Sequence, residues 1–384
     1  MTAPTVLHPG ELRWETRLLA VVTATLVVFG LAAAYGAANV DAGDGAMRVL
    51  LRQLSGAALG GVLMVVVARL DYRVWRRLAW PLLGITIFTL ILLVLPFTRE
   101  IAPSRNGARR WIELGAFNFQ PSEVARLTIV VWCAMLAEKK GKQVRAFKKG
   151  VVPFLVMIGL VSGLIMLQPN LSMATLVALL GCLVLFTAGA KIGHFMLLSF
   201  GGGLLVWHKI VGTGFRSARL GAFLDPGSAA EGAGFQLTQS KIGIGSGGIL
   251  GVGFGEGQQK LFLPYASNDF LFSSIGEEWG FIGVVVLVGL FALFCWTGLR
   301  IARTAQDPFG QYLAVGLTAT VGVTAVMHMA VSLGMMPTTG ITLPFMSTGR
   351  SSQVIALVGT GMLINIGRQR GRPRRRSARP SGES

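Results

Sequence analysis

Three carboxylates stand where a polar stretch of the sequence meets a long apolar run. Asp269 lies just before that run, and Glu277 and Glu278 lie within its first residues. A carboxylate in partly apolar surroundings is suited to act as a general base, because desolvation raises its pKa toward neutrality. The alternative is structural, with Asn268 or Asp269 as a helix N-cap and the glutamates in the early turns. Capping explains one acid easily and three acids less well.

A second group combines arginine with an aromatic residue. Arg109, Arg110 and Trp111 precede a short apolar run, and Glu123 stands near the start of that run. Two arginines at a membrane surface can bind phosphate through charge-assisted hydrogen bonds. The alternative is that they and Trp111 only anchor the loop at the interface. Glu123 is favourable at a helix start, and its three-residue spacing from Arg126 predicts a pair on one helix face.

Two further stretches are rich in glycine or small polar residues. The first contains Gln239, Ser240, Lys241, Gly247 and Gly248. Such backbone can approach a ligand closely and offer N–H groups to an anion. However, the stretch lacks the Gly-Lys-Ser/Thr ending of a Walker A loop, and a flexible connector is the favoured interpretation. The second stretch contains Ser347 and Ser351 on either side of Arg350. It is expected on the same side of the membrane as the first stretch.

Composition indicates which elements position these groups. Of 384 residues, 52% are hydrophobic and 14% are charged, against about 25% charged residues in soluble domains. These values exclude a soluble single-core domain and a disordered chain, and they predict an all-α polytopic membrane protein. An apolar run of about 17–25 residues spans a bilayer as a helix. Ten such runs lie at 18–38, 49–68, 78–96, 122–137, 151–168, 171–189, 195–212, 272–299, 311–333 and 352–367.

The distribution of charge predicts the orientation of these helices. The segments expected on one side carry 22 of the 35 Lys and Arg residues and a net charge of +16, against +2 for the rest. Positively charged loops stay cytoplasmic, and an even number of helices places both termini on that side. Because the excess charge is a topology signal, we expect no nucleic-acid partner. The predicted units are a cytoplasmic N-terminus (1–17), a membrane domain (18–367) with one large extracytoplasmic loop (about 213–271), and a basic cytoplasmic tail (368–384).

Six ordered blocks carry a family resemblance. They are NGARRWIELGAFNFQPSEVARL, LQPNLSMA, FRSARLGAFLDP, FQLTQSKIGIGSGGILGVGFGEGQQKLFLP, NDFLFSSIGEEWGFIG and LGMMPTTGITLPFMSTGRSS. With these blocks, the chain from about residue 105 to 366 resembles the SEDS family (shape, elongation, division and sporulation), the polytopic RodA and FtsW proteins. The Ala-Arg-Arg-Trp and Met-Pro-Thr-Thr-Gly sequences look more like the FtsW division branch.

The resemblance implies a peptidoglycan glycosyltransferase of the bacterial cytoplasmic membrane, which polymerises lipid II at the outer face with Asp269 as the catalytic base. Lipid II is a disaccharide peptide linked to undecaprenyl pyrophosphate. The resemblance also implies a class B penicillin-binding protein transpeptidase as a partner, with other division or elongation membrane proteins. No resident cofactor is expected, and a Mg²⁺ or Mn²⁺ ion accompanying the pyrophosphate is left open. The expected substrate-binding residues are Arg109, Arg110, Trp111, Glu123, Arg216, Arg219, Gln239, Ser240, Lys241, Gly247, Gly248, Glu277, Glu278, Ser347 and Ser351.

Two other functions stay open at this point. A lipid II flippase predicts a polar path through the bundle, and a non-catalytic division scaffold predicts no dependence on the loop acids. The chain departs from the usual family pattern at Asn170, Ser267, Asn268, His328 and Arg350. Within an apolar helix, His328 is expected to hydrogen-bond a neighbouring helix rather than to transfer protons.

Overall fold

The computed structural model describes residues 11–38, 45–95, 98, 102–103, 108–114, 117–211, 214–225, 232–263 and 266–369. These residues are mostly helical, with one small antiparallel hairpin of strands β1 (Ile112–Leu114) and β2 (Phe117–Phe119). The helices are α1 (Glu11–Gly36), α2 (Gly45–Arg69), α3 (Arg73–Val94), α4 (Pro121–Lys140), α5 (Val152–Leu167), α6 (Leu171–Thr187), α7 (Ile192–Val211), α8 (Gly214–Leu224), α9 (Ala233–Ser246), α10 (Leu271–Arg303), α11 (Pro308–Ser332) and α12 (Arg350–Gln369). Shorter helical turns lie at Gly141–Arg145, Phe147–Val151 and Gln259–Leu261.

The ten predicted spans correspond to α1–α7 and α10–α12, which confirms an all-α polytopic membrane protein. In the described residues, six helical stretches are long and apolar enough to cross a membrane, while α6 and the first part of α7 are shorter apolar helices. The other two, α4 and α12, carry more polar residues and are covered by neighbouring helices along most of their length. Burial on all sides explains why their apolar signal is weaker, because they meet protein rather than lipid.

Small residues allow the helices to approach closely. α4 packs against α3, α6 and α11, and α12 packs against α2. A Cβ added at Gly361 of α12 would meet the backbone of Met64 in α2, and one at Gly298 of α10 would meet Thr318 of α11. Backbone approach of this kind is typical of membrane helix pairs, whose association depends on packing rather than on exclusion of water.

The ends predicted to share the cytoplasmic face are in contact. Three ion pairs join α1, α3, α4, α10 and α11 at this end: Arg73–Asp307 at 3.1 Å, Arg76–Glu138 at 3.1 Å and Arg300–Glu15 at 2.7 Å. The grouping of these segments is therefore confirmed, while the side of the membrane that they face stays a prediction. Residues 1–10, 39–44 and 370–384, which include most of the predicted basic tail, lie outside the described residues.

The large loop contains two helices, α8 and α9, that the sequence did not predict. The glycine-rich stretch after α9 packs against α10, which is broken at Gly280 (φ +64°). At this break, the Val252 N–H donates to the Glu277 carbonyl at 3.0 Å, and the Phe281 N–H donates to the Gly248 carbonyl at 2.9 Å. The loop backbone thus pairs groups that the interrupted helix leaves without their usual partners.

Glycine is required where this stretch meets α10. A Cβ at Gly251 (φ +84°) would overlap the backbone of Glu278, and a Cβ at Gly247 would overlap the Gly276 carbonyl. The interpretation of this stretch as a flexible connector is therefore wrong. Its composition instead permits two backbones to touch.

The predicted outward loop near residue 340 is mostly buried. Residues 334–349, here called the 334–349 segment, have no regular secondary structure, and Leu343 and Phe345 are fully buried. The Gln353 side chain donates to the Phe345 carbonyl at 3.1 Å, and the Gln53 side chain donates to the Met346 carbonyl. Irregular backbone is tolerated at such a site because protein groups satisfy its hydrogen bonds. Length and composition could not distinguish this inserted segment from a surface loop.

Candidate active site

Asp269 lies in the turn before α10 and is partly buried. Burial raises the pKa of Asp269 to about 6, against the opposing effects of the Arg219 charge, the Asn268 hydrogen bond and the Arg110 charge. The predicted rise of this pKa is therefore confirmed. The amide of Asn268 donates to Asp269 Oδ1 at 2.8 Å. The N-cap position of α10 belongs to Phe270, without a side-chain cap, so the helix-capping alternative for Asp269 is wrong.

Arg219 reaches Asp269 from α8. Its Nη1 donates to the Thr338 carbonyl at 3.2 Å, which fixes the guanidinium against the 334–349 segment. Burial lowers the pKa of Arg219, while the Asp269 charge acts in the opposite direction. Arg216 belongs to the same helix, but its side chain lies outside the described residues. The structure therefore brings one of the two predicted α8 arginines to the carboxylate.

Arg109 and Arg110 have different surroundings. Arg110 donates to the Pro169 carbonyl and, at 3.3 Å, to the Gln168 carbonyl, and its charge acts on Asp269. Arg109 donates to the Leu95 carbonyl at 2.8 Å, where α3 ends. A cation at this position satisfies carbonyls that a helix C-terminus leaves unpaired. Arg110 thus forms a cluster with Asp269 and Arg219, whereas Arg109 supports the adjacent helix end. Trp111 is only partly buried.

The two glutamates of α10 contact other parts of the protein. Glu277 accepts hydrogen bonds from the backbone N–H groups of Gln258 at 2.8 Å and Gln259 at 3.2 Å. The Glu278 carboxylate lies against Gly36 at the end of α1. Glu277 lies six residues after Leu271, where α10 begins, which is about 9 Å of helix rise from the start of the helix. Glu277 thus fixes the end of the glycine-rich stretch, and substrate binding by the two glutamates stays a prediction.

Ser347 and Ser351 are bound to backbone groups. Ser347 Oγ donates to the Asn268 carbonyl at 2.8 Å and accepts from the Leu343 N–H at 2.9 Å. Ser351 Oγ donates to the Asn118 carbonyl of β2 at 2.9 Å. Both hydroxyls position neighbouring backbone, and their contact with substrate stays a prediction. For Ser347, that backbone is the residue beside Asp269.

The predicted binding residues of α9 connect helices. Ser240 Oγ donates to the Ser332 carbonyl of α11 at 2.8 Å, and its own carbonyl accepts from Ser273 Oγ of α10 at 2.7 Å. Lys241 extends along Gly334, while Gln239 is partly buried. Gly247 and Gly248 contact α10 through their backbone, as described above. Ser240, Gly247 and Gly248 thus have structural contacts within the bundle, and their contact with substrate stays a prediction.

Glu123 and Arg126 form the predicted pair. Their side chains are 2.7 Å apart, and both are buried inside the bundle. Arg126 also donates to Thr324 Oγ1 of α11 at 3.3 Å. Because the pair is enclosed by protein, Glu123 does not lie at the outer surface where substrate binding was expected.

Two neighbours of Asp269 were not predicted as site residues. Asn268 donates to the carboxylate, and Thr338 supplies the carbonyl that holds Arg219. Within the described residues, Asn268 Oδ1 and Thr338 Oγ1 are buried without a hydrogen-bond partner, a condition that a polar ligand would relieve. The adjacency of Asn268 to Asp269 was a signal in the sequence, whereas a backbone carbonyl has none. The described residues contain no group of three or more His, Cys, Asp or Glu side chains suited to a metal ion.

Comparison with known proteins agrees with this arrangement of helices and loops. The family profile described as cell cycle protein, covering FtsW, RodA and SpoVE, matches residues 14–372. A probable peptidoglycan glycosyltransferase FtsW of Trichlorobacter lovleyi is 39% identical over 93% of this chain and 94% of its own length. Stage V sporulation protein E of Bacillus subtilis is 36% identical over 91% and 96%.

Solved structures are similar along nearly the whole chain. A chain from a peptidoglycan synthase complex, described as coordinating polymerization and crosslinking, has a TM-score of 0.77 and 28% identity, with 92% of this chain and 98% of that chain covered. The crystal structure of the rod shape determining protein RodA of Thermus thermophilus has a TM-score of 0.69 and 28% identity, with 92% and 97% covered.

Proposed function

Because this chain belongs to the family of cell cycle proteins that includes FtsW, RodA and SpoVE, we propose that it is a peptidoglycan glycosyltransferase. It is a multi-pass protein of the bacterial cytoplasmic membrane. The observation that carries the proposal is the cluster of Asp269 with Arg219 and Arg110 at one end of the bundle. A base beside two cations suits a reaction in which a sugar hydroxyl loses a proton and a pyrophosphate leaves.

In the proposed reaction, a hydroxyl of one sugar attacks the anomeric carbon of a disaccharide carried on a lipid pyrophosphate. The new glycosidic C–O bond forms as the bond to the pyrophosphate oxygen breaks. Asp269 takes the proton of the attacking hydroxyl, and a pKa of about 6 lets the carboxylate be ionised at neutral pH while it remains a stronger base than an exposed aspartate. The leaving pyrophosphate keeps the electron pair of the broken bond.

The cations have the matching role in this proposal. Arg110 and Arg219 would bind the pyrophosphate of lipid II and stabilise its charge as it leaves. Arg109 would support them indirectly, because it holds the end of α3 beside Arg110. A Mg²⁺ or Mn²⁺ ion would enter with the pyrophosphate rather than from a protein site, and chelation in the assay tests that requirement.

A transpeptidase partner is part of the proposal. The similar synthase complex is described as coordinating polymerization with crosslinking, and this supports a class B penicillin-binding protein beside the present chain. Other division or elongation membrane proteins would join the same assembly. Polymerisation is therefore best measured with and without that transpeptidase.

The decisive experiment is lipid II polymerisation by the Asp269→Asn protein. Asparagine preserves the shape of the side chain but cannot take the proton, so glycan synthesis should fall about 10²-fold or more. Glu256→Gln is the matched control, since Glu256 is an exposed carboxylate of the same loop, and it should retain activity. Near-normal synthesis by Asp269→Asn would remove Asp269 from the mechanism. Lipid II transport without polymerisation by the wild-type protein would favour the flippase, and division support by Asp269→Asn would favour the scaffold.

A further inference from the structure

His328 lies on α11 and is only 1% exposed. Its Nδ1 is 2.9 Å from the carbonyl oxygen of Ile341. Because a carbonyl oxygen only accepts hydrogen bonds, Nδ1 carries the proton and donates it. Nε2 has no hydrogen-bond partner in the part of the chain that the structure describes. The bond to Ile341 is therefore what orients the imidazole ring, and it reaches a loop segment rather than the neighbouring helix that the sequence predicted.

The other polar side chains on this face of α11 behave differently. Thr320, Thr324 and Ser332 share the four-residue spacing of His328, about one turn each along positions 320, 324, 328 and 332, and all three are buried. Their hydroxyls donate to carbonyls four residues earlier in the same helix, at 2.8, 2.5 and 3.1 Å. Such bonds satisfy a buried hydroxyl within its own helix, although Thr324 Oγ1 also accepts the bond from Arg126 of α4. The imidazole, in contrast, connects α11 to the 334–349 segment.

The 334–349 segment contacts Arg219 and Asn268, two residues that act on the Asp269 carboxylate. Thr338, three residues before Ile341, accepts the bond from Arg219. Ser347, six residues after Ile341, donates to the Asn268 carbonyl. Since the segment forms no helix or strand, and its internal backbone bonds are confined to the turn in which Met346 and Ser347 donate to the Leu343 carbonyl, contacts from side chains fix much of its path. The bond from His328 falls between the two points that reach the site.

We propose that His328 is a positioning residue for the reaction, and this inference rests on the proposed function. Through Ile341 it fixes the 334–349 segment on α11. The segment in turn fixes Arg219 and Asn268 against the Asp269 carboxylate. His328 itself touches neither substrate nor the reacting atoms.

Three substitutions separate the two ring nitrogens. His328→Asn keeps a donor near the place of Nδ1, His328→Gln places its amide near the place of Nε2, and His328→Leu has no donor. We expect the Asn variant to polymerise lipid II at close to the wild-type rate. In the Gln and Leu variants, kcat should fall about 10- to 100-fold with KM within about twofold, because a shift of about 1 Å in a catalytic group costs on this scale.

A second measurement reports on the segment without using activity. Gly340 is exposed, and a Cβ added there meets no atom within 4 Å, so Gly340→Cys can carry a spin label. Gly245 on α9 is also exposed and open, and Gly245→Cys is the matched control site. The background is the full-length protein with its three native cysteines changed to alanine. We expect His328→Leu and His328→Gln to increase label mobility at residue 340 but not at residue 245, and His328→Asn to change neither.

The outcomes distinguish this inference from the proposed function. An active wild-type protein whose Leu variant keeps its kcat and its label mobility would overturn the positioning role alone. Asn and Gln variants with the same kcat and the same loss of thermal stability would also overturn it, since that pattern indicates packing without a specific bond. A wild-type protein that does not polymerise lipid II with its transpeptidase would overturn the proposed function, while label mobility would still test the contact between His328 and Ile341.

Discussion

Replacing Asp269 by asparagine should stabilise the folded protein at neutral pH while it slows the proposed reaction about 10²-fold or more. Burial raises the pKa of Asp269 from 3.8 to about 6, so the folded state binds this proton more tightly than the unfolded state does. Stability from this group is therefore greatest below about pH 4 and is lost as the pH rises toward 6. The difference of about two pKa units corresponds to about 3 kcal/mol at pH 7. Asparagine is neutral at every pH and avoids that cost.

The assay is unfolding of the purified protein in detergent at pH 7 and at pH 4. We expect Asp269→Asn to be more stable than the wild-type protein at pH 7, and we expect the difference to shrink toward zero at pH 4. Asp307→Asn is the control with the opposite sign. Asp307 accepts a hydrogen bond from Tyr72 at 2.8 Å and pairs with Arg73 at 3.1 Å, so its replacement should destabilise. An Asp269→Asn protein with no gain at pH 7 would refute the reasoning that burial penalises this carboxylate.

Three further predictions follow from the same contacts. The value of kcat/KM should fall below about pH 6, because Asp269 must be ionised. In Arg219→Gln this fall should begin at a higher pH, since the Arg219 charge lowers the pKa of Asp269. Profiles of kcat/KM against pH check both. Arg110→Ala should raise the lipid II concentration needed for half-maximal polymerisation by about tenfold or more, the effect of losing about 1.5–3 kcal/mol from a charge-assisted contact. Gly251→Ala should lower stability by about 2 kcal/mol more than Gly255→Ala in thermal unfolding. Both glycines have positive φ, but only Gly251 meets the α10 backbone. The next two residues, Val252 and Gly253, donate hydrogen bonds to α10 carbonyls, and losing both costs about 1 kcal/mol each.

The membrane helices were predictable because a bilayer imposes a simple physical requirement. A segment in lipid must be apolar and about 20 residues long, and α1–α3, α10 and α11 carry that signal directly. Even α4 could be placed, although it contains Glu123 and Arg126, because the rest of the run is apolar. Helix boundaries then followed to within a few residues for most spans.

The loops could not be predicted for an equally physical reason. The path of the 334–349 segment depends on bonds from Gln53 and His328, which lie far away in the sequence or on another element. The glycines around Gly251 were correctly identified as permitting close approach, but their contact is the broken backbone of α10 rather than a ligand. Helices α8 and α9 lack a long apolar run, so hydropathy gave no reason to separate them from coil.

Asp269 was identifiable from its place at the junction of a polar stretch and an apolar helix, yet its chemistry depends on neighbours that this position does not specify. Burial favours the protonated carboxyl, whereas Arg219 and Arg110 favour the ionised one. Asn268 adds a chemical constraint of its own. Its amide nitrogen donates to Asp269 Oδ1 and has no lone pair with which to accept a proton from the carboxyl. The family pattern that this chain resembles usually has threonine in place of Asn268, and a threonine hydroxyl could donate or accept at the same position. Asn268 therefore favours the ionised, proton-accepting carboxylate, and this departure from the family pattern is compatible with Asp269 acting as a base.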